Sequence, residues 1–335
     1  MNTKKYLYQG VFLIAIFVGG VITTDQYLSF ILIAPIGTIV VATLRVGNSI
    51  SFFVFTYTTL ITRRKKLVLF WKLLSNMSRH LEKKYFMSRT IFIAKLLFWI
   101  LVSVGAPASI IWIIPYLGLK SIGPNFFWLM QNFKMIAVSA IVTETSIVVN
   151  RRQIYVFEIV QLLTQKDLSE SDVEKAIKNV LKLHKDIIYI IEYLNFSFGV
   201  PLLLIFLNNM TELLSEIDGI LNMTYKKMVT GLDPDAQLFH TITYLAVLFV
   251  ISVSIAIAGD KIEKTGIKIT KLCHILEVDI KNPIIRGHVR NLSGYLEKLR
   301  PALTLAGFIP INRNIIPLLL SSLTSYAIIL IQLKS

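Results

Sequence analysis

Few side chains here could do chemistry, and they stand in apolar surroundings. Gln332 is an amide near the end of an apolar run that begins near Ile315, with Tyr326 and Ile329 in the turns before it. An amide on a lipid-facing helix is costly unless it meets water or another subunit. Lys134 and Glu144 lie within another apolar run, where a charge tends to face protein or water. Asn312, Arg313 and Asn314 sit together where the last run begins. Asp233-Pro234-Asp235 pairs two carboxylates, but in a short polar loop that pattern reads as a turn. Five histidines are scattered without metal-ligand spacing, and His184 reads as structural. The single cysteine, Cys273, excludes an intrachain disulfide. No constellation for catalysis, metal or cofactor binding emerges, and an enzyme is not expected.

These residues must be positioned by membrane-spanning helices. The chain has 335 residues, 54% of them hydrophobic and 16% charged, with a mean hydropathy of +0.65. Soluble domains carry about 25% charged residues, so the composition is that of a polytopic membrane protein. Seven runs are long enough to cross, at 6–24, 28–50, 90–117, 125–149, 187–214, 237–258 and 312–333. The first lacks a cleavage pattern, so no signal peptide is expected, and no further domain is expected after the last. The net charge of +15 would suit a nucleic-acid binder if the protein were soluble. Here the positive-inside rule accounts for it. Basic residues cluster after spans two, four and six, as in Arg63-Arg64-Lys65-Lys66, Arg151-Arg152 and the lysines from Lys261 to Lys281. This predicts a cytoplasmic N-terminus and an extracellular C-terminus. Asn222-Met223-Thr224 is then an outward-facing glycosylation sequon. Asp25, Glu212, Glu216, Asp218, Asp233 and Asp235 fall on or near the outer side, where they would draw cations.

The cytoplasmic connections are expected to be helical. Ser171-Asp172-Val173-Glu174 reads as a capping box. Val173, Ile177, Val180, Leu181, Ile187, Ile188 and Ile191 follow at helical spacing, predicting a helix that runs unbroken into span five. A similar amphipathic stretch covers Leu67 to Leu81. The architecture expected is one all-α membrane domain over 1–335. Parts of 6–258 would hold an outer ligand pocket, and 52–90, 150–190 and 259–311 would contribute to a cytoplasmic helical bundle.

Three blocks resemble insect gustatory receptors. The closing run Ser325-Tyr326, five apolar residues, Gln332-Leu333 is similar to that family's final Thr-Tyr, five apolar residues, Gln-Phe. Leu183-His184 followed by Leu194-Asn195-Phe196-Ser197-Phe198-Gly199 is similar to its Leu-His pair and Leu-Asn-x-x-Phe-Gly run. In that block the asparagine suits an interhelical hydrogen bond and the glycine a close helix approach. Leu303 to Arg313, with Ala306-Gly307-Phe308 at its centre, is similar to the run before the family's last helix. The charge pattern agrees independently, because insect chemoreceptors share this topology.

The resemblance implies a tetrameric cation channel whose last helix, 312–333, lines a central pore. Gln332 matches the glutamine of the outer constriction, and Leu333 replaces its aromatic neighbour. With Tyr326 and Ile329 they are the pore and gate candidates; Asn312 and Arg313 would sit at its inner mouth. A ring of amides can hold partly hydrated cations, and an apolar ring can close a pore by dewetting. Trp112, Tyr116, Phe127, Trp128, Gln131, Lys134, Asn208 and Tyr244 are candidates for a pocket suited to small amphiphiles or sugars.

The sequence therefore reads as a gustatory receptor subunit, in a homo- or heterotetramer of the plasma membrane of sensory neurons. Its partners would be small-molecule tastants, cations and lipid, with no nucleic acid. An odorant-receptor-type channel shares the topology. A metabotropic seven-helix receptor needs the inverse orientation, and a secondary transporter would show internal repeats, of which there are none.

Overall fold

The computed structural model describes residues 47, 68–75, 122–163, 169–221 and 234–332. In this order come α1 (Ile122–Leu162), α2 (Glu170–Leu221), α3 (Pro234–Asp279), α4 (Pro283–Lys298), β1 (Thr304–Leu305), β2 (Ile309–Pro310) and α5 (Ile315–Gln332). A helical piece at 68–75 packs beside them. The first three expected spans lie outside the described residues, apart from position 47, which is helical.

The long helices outrun a membrane. α1, α2 and α3 have 41, 52 and 46 residues, or roughly 60 to 80 Å at 1.5 Å per residue, against a ~30 Å hydrocarbon core. Glu170–Leu214 and Thr241–Asp279 each contain an apolar stretch long enough to cross. The rest of each helix is length that a span does not need. The basic connection expected after Asn150 is thus helical up to Leu162. Nothing in Asn150-Arg151-Arg152-Gln153 breaks a helix, and α3 meets two of its side chains. Thr265 Oγ1 donates to Asn150 Oδ1 at 2.7 Å, and Gln153 Nε2 donates to the Ile262 carbonyl at 3.2 Å.

A seven-residue step organises the contact between α1 and α3. Val142, Val149 and Val156 are buried on one helix, and Ile255, Ile262, Ile269 and Leu276 on the other. Such a step brings the same stripe back to the partner every two turns, as in a coiled coil. α2 completes the core with Ile187, Ile190 and Leu194. Phe70, from the 68–75 piece, stacks on Tyr193 of α2 at 4.7 Å.

α2 runs unbroken from the 170s into span five, as its periodicity predicts, and Val173, Ile177, Val180, Ile187 and Ile191 are buried. Its cap lies two residues earlier than expected. Ser169, not Ser171, is the capping residue: its Oγ accepts from the Asp172 N–H at 3.2 Å and donates to Asp172 Oδ2 at 2.7 Å. Glu174 instead pairs with Lys178 one turn on, at 2.6 Å. Asn282 caps α4 through its Oδ1, with Pro283 in the first turn, where no N–H is needed. α4 then runs back along α3, with Ser293 beside His274 and Arg290 beside Glu277.

Between α4 and α5 the chain makes a small antiparallel hairpin that pairs Thr304 with Pro310 and Leu305 with Ile309. The Phe308 N–H returns to the Leu305 carbonyl. Ala306 and Gly307 between them have φ of 49° and 89°, the two positive values that a type I′ turn requires. Glycine takes this conformation freely, whereas Ala306 is strained there.

Candidate functional site

Two sequence-predicted pocket residues meet a common partner helix. Asn208 of α2 and Tyr244 of α3 are buried, and both reach α1. Asn208 Nδ2 lies 3.5 Å from Met135 Sδ, and the Tyr244 hydroxyl lies 3.5 Å from Asn132 Oδ1. Asn132, Thr211, Glu212 and Thr241 are buried in the same stretches of α1, α2 and α3. Glu212, expected on or near the outer side, is 0% exposed, inside the helix packing. That corrects its expected part in an outer field, because a carboxylate with no exposed surface acts on its immediate neighbours. Phe127, Trp128, Gln131 and Lys134 belong to α1 by backbone, and their side chains lie outside the described residues, as do Trp112, Tyr116, Asn222 and Leu333.

The second and third family-like blocks meet in space. Asn195 clamps the strand that precedes the hairpin turn: Nδ2 donates to the Ala302 carbonyl at 2.8 Å, and Oδ1 accepts from the Thr304 N–H at 2.9 Å. Its amide copies a strand's backbone pairing, so it holds the hairpin and not the neighbouring helix expected from the sequence. Gly199, one turn on, faces the same loop; a Cβ there would lie 3.1 Å from Ala306 N. On α3, a Cβ at Gly259 would run into the Ile311 carbonyl, and one at Gly266 would lie 3.2 Å from the Pro301 ring. The hairpin therefore fills a groove between α2 and α3 that glycine keeps open.

Polar contacts fix both ends of this strap. At the α4 end, His184 Nε2 meets the Leu299 carbonyl at 2.9 Å, with the Tyr295 ring edge-on at 5.9 Å. Since a carbonyl only accepts, Nε2 carries the proton. Nδ1 is buried without a partner among the described residues, so the ring is neutral. Burial lowers the His184 pKa, and the Leu299 hydrogen bond only partly opposes this. At the α5 end, Arg313 Nε and Lys264 Nζ both lie 2.9 Å from Asp260 Oδ2. Neither donor is aligned for a hydrogen bond, so the contact is ionic. Asn312 Nδ2 donates to Glu263 Oε2 at 3.1 Å, and its Oδ1 accepts from the Asn314 N–H. The two residues expected at an inner mouth thus form the turn that starts α5 and tie it to α3.

α5 itself contributes little to the core. Ile315 is buried, and Ile316 and Leu319 pack partly against the core. Beyond them Tyr326 is 53% and Ile329 48% exposed, and Gln332 is exposed too. The Ser322, Thr324 and Ser325 hydroxyls donate to carbonyls one turn back, so they need no outside acceptor.

Chain-wide comparison assigns the family. Residues 5–335 match the model of the 7tm chemosensory receptor family. The chain belongs to that family. This 7tm chemosensory receptor also shares its fold with a solved insect receptor. The olfactory receptor OR5 from Machilis hrabei aligns with a TM-score of 0.69 at 13% identity, covering 97% of this chain and 90% of that one. The same receptor in complex with eugenol aligns with a TM-score of 0.65 at 12% identity, over 99% and 91% of the two chains. None of the curated proteins matches the chain. The chemosensory assignment suggested by the three blocks is borne out, and the receptor is a predominantly helical membrane protein.

Proposed function

We propose that this receptor is a gustatory subunit, one of four chains forming a ligand-gated, non-selective cation channel in the plasma membrane of sensory neurons. Its N-terminus lies in the cytoplasm, and small-molecule tastants open it. The observation that carries the reading is α5. It is 18 residues long, about 27 Å, close to the thickness of a hydrocarbon core. Its apolar side chains stand largely uncovered by the rest of the chain. Tyr326, Ile329 and Gln332 fall within a sector of about 120°. A helix that is apolar and uncovered needs lipid or other subunits around it, and in a four-fold ring this sector would face the axis.

Ligand recognition is assigned to the buried polar stretch around Asn132, Asn208 and Tyr244. An apolar interior with a few polar groups suits a small aromatic or amphiphilic molecule, and the eugenol complex of the structurally similar receptor supports that class. Ligand binding would shift a closed–open equilibrium by its differential affinity for the two states. The strap between α2 and α3 would transmit the shift to α5. Whole-cell recording tests the pore assignment. Gln332→Glu is expected to change divalent block and relative permeability, and unchanged conductance, block and selectivity would overturn it.

A further inference from the structure

Cations gather where two apolar segments end at one level. α3 turns from apolar to charged after Ala258, with Asp260, Lys261, Glu263, Lys264 and Lys268 following. The closing apolar run begins at Ile315, and Arg313 precedes it. Arg313 and Lys264 both lie 2.9 Å from Asp260 Oδ2, so this carboxylate pins the two ends to one depth. An apolar segment ends at the boundary of the hydrocarbon core, and lipid headgroups begin there.

One buried carboxylate here holds two exposed cations side by side. The Asp260 side chain is 7% exposed, whereas Lys264 is 59% and Arg313 57% exposed. Neither cation gives Asp260 Oδ2 a hydrogen bond, so their N–H groups stay available to another acceptor. Lys261 and Lys268 are exposed too, and with Lys264 they fall within a sector of about 60° on α3. Glu263 is half-buried and accepts from Asn312. Four cations against two engaged carboxylates leave a positive surface, and an arginine beside an ammonium suits a phosphate. The membrane side of these cations decides which phosphate. There α2, α3 and α5 enclose an open apolar cleft, with Phe249 and Val253 of α3 and Ile316 and Leu320 of α5 among its walls. Val253, Asp260 and Lys264 line up along one face of α3 at steps of seven and four residues. Phe249 and Leu320 are each about half exposed, so the cleft is open at its flank. A free phosphate gains nothing from such a cleft, whereas a molecule with an anionic head and a hydrocarbon tail meets both parts at once.

We propose that the junction of α3 and α5 binds an anionic phospholipid. Its headgroup lies on Arg313, Lys264 and Lys261, and one acyl chain lies along the cleft. The lipid ties the start of α5 to α3 from outside, beside the internal tie through Asp260. Under the orientation proposed above it belongs to the cytoplasmic leaflet, but the site itself does not depend on that orientation.

Photolabelling tests this with the full-length receptor in phosphatidylcholine nanodiscs. Trace phosphatidylserine and trace phosphatidylcholine, each with a diazirine in one acyl chain, are compared. Phosphatidylserine is expected to label Phe249, Val253 or Leu320 about tenfold more strongly, since each cation near a membrane surface is worth about fivefold. Lys261→Gln, which leaves the Asp260 contacts in place, is expected to cut that excess severalfold, and Lys261→Gln with Lys264→Gln to abolish it. Lys281→Gln, roughly 30 Å further along the chain's path, is expected to leave it unchanged. Thermal unfolding of each variant shows that it is folded. Equal labelling by the two lipids, label spread evenly over apolar exposed residues, an unchanged excess in the folded double variant, or an equal loss in Lys281→Gln would each overturn the site. Displacement by inorganic phosphate but not by potassium chloride of equal ionic strength would reassign it to a soluble anion and overturn the lipid. The assay reads no current, so it can fail while the channel reading stands, or succeed while that reading falls.

Discussion

Asn195 meets two backbone groups with one amide, Ala302 C=O and Thr304 N–H. Asn195→Ala should cost about 1 to 3 kcal/mol, because it leaves half-buried backbone groups unmet. Asn195→Asp keeps the bond from Thr304 and should fall between. Thermal unfolding of the purified receptor reads both. His184 makes stability pH-dependent. Its folded pKa lies below the ordinary 6.5 because burial disfavours the charged ring. The contribution is fully present above 6.5 and is lost as pH falls from there toward the lowered folded value. The melting temperature should therefore drop on acidification below 6.5, and His184→Gln should flatten that dependence. Cys273 is buried, and burial pushes its thiol up to about 12. It should resist maleimide until the receptor unfolds.

At the scale of elements, the strap joins the α2–α3 pair to the start of α5, and two glycines separate its packing from plain helix propensity. Alanine usually stabilises a helix over glycine by up to about 1 kcal/mol. Gly287, on α4, has open space around its absent Cβ, so Gly287→Ala should be neutral or mildly stabilising. Gly259→Ala has the same propensity gain but meets the Ile311 carbonyl. It should lower stability by about 1 to 3 kcal/mol and displace the start of α5. A melting curve that rises for both would show that the strap does not press on α3. Asp260→Asn should loosen the tie to Arg313, and under the channel reading it should change basal current with less effect on melting, since Arg313 is largely exposed.

For the whole molecule, the uncovered flank of α5 and the orientation are the quantities to test. Four chains per particle are expected in nanodiscs by single-molecule mass measurement, and a monomer with full activity would remove the proposed pore. A shift on glycosidase treatment that Asn222→Gln abolishes would put that loop outside. Asn291 is exposed on α4 and carries a sequon as well. Its glycosylation in place of Asn222 would reverse the orientation.

Much of the architecture was legible in one sequence, because its causes are local or compositional. Apolar length marks the runs that lie within α1, α2, α3 and α5, helical spacing predicts α2 through Ile191, and the closing run points to a chemosensory receptor. The cap at Ser169 was missed by two residues, since Ser169 and Ser171 both precede an acidic residue three positions on. The continuation of α1 past Arg152 was not read, because its signal is the seven-residue step from Val142 through Val149 to Val156, which a search for apolar length passes over. Other features depend on partners more than a hundred residues away. Sequence spacing carries no information on which groove a hairpin fills, so Asn195 read as a helix contact until Ala302 and Thr304 were beside it. Glu212 read as a surface charge until helix packing buried it. The sequence by itself determined the membrane class, the helices and the family, because hydropathy and backbone propensity act along the chain. The tertiary structure alone decided the strap and the buried polar pairs, because burial and long-range hydrogen bonding exist only once distant segments meet.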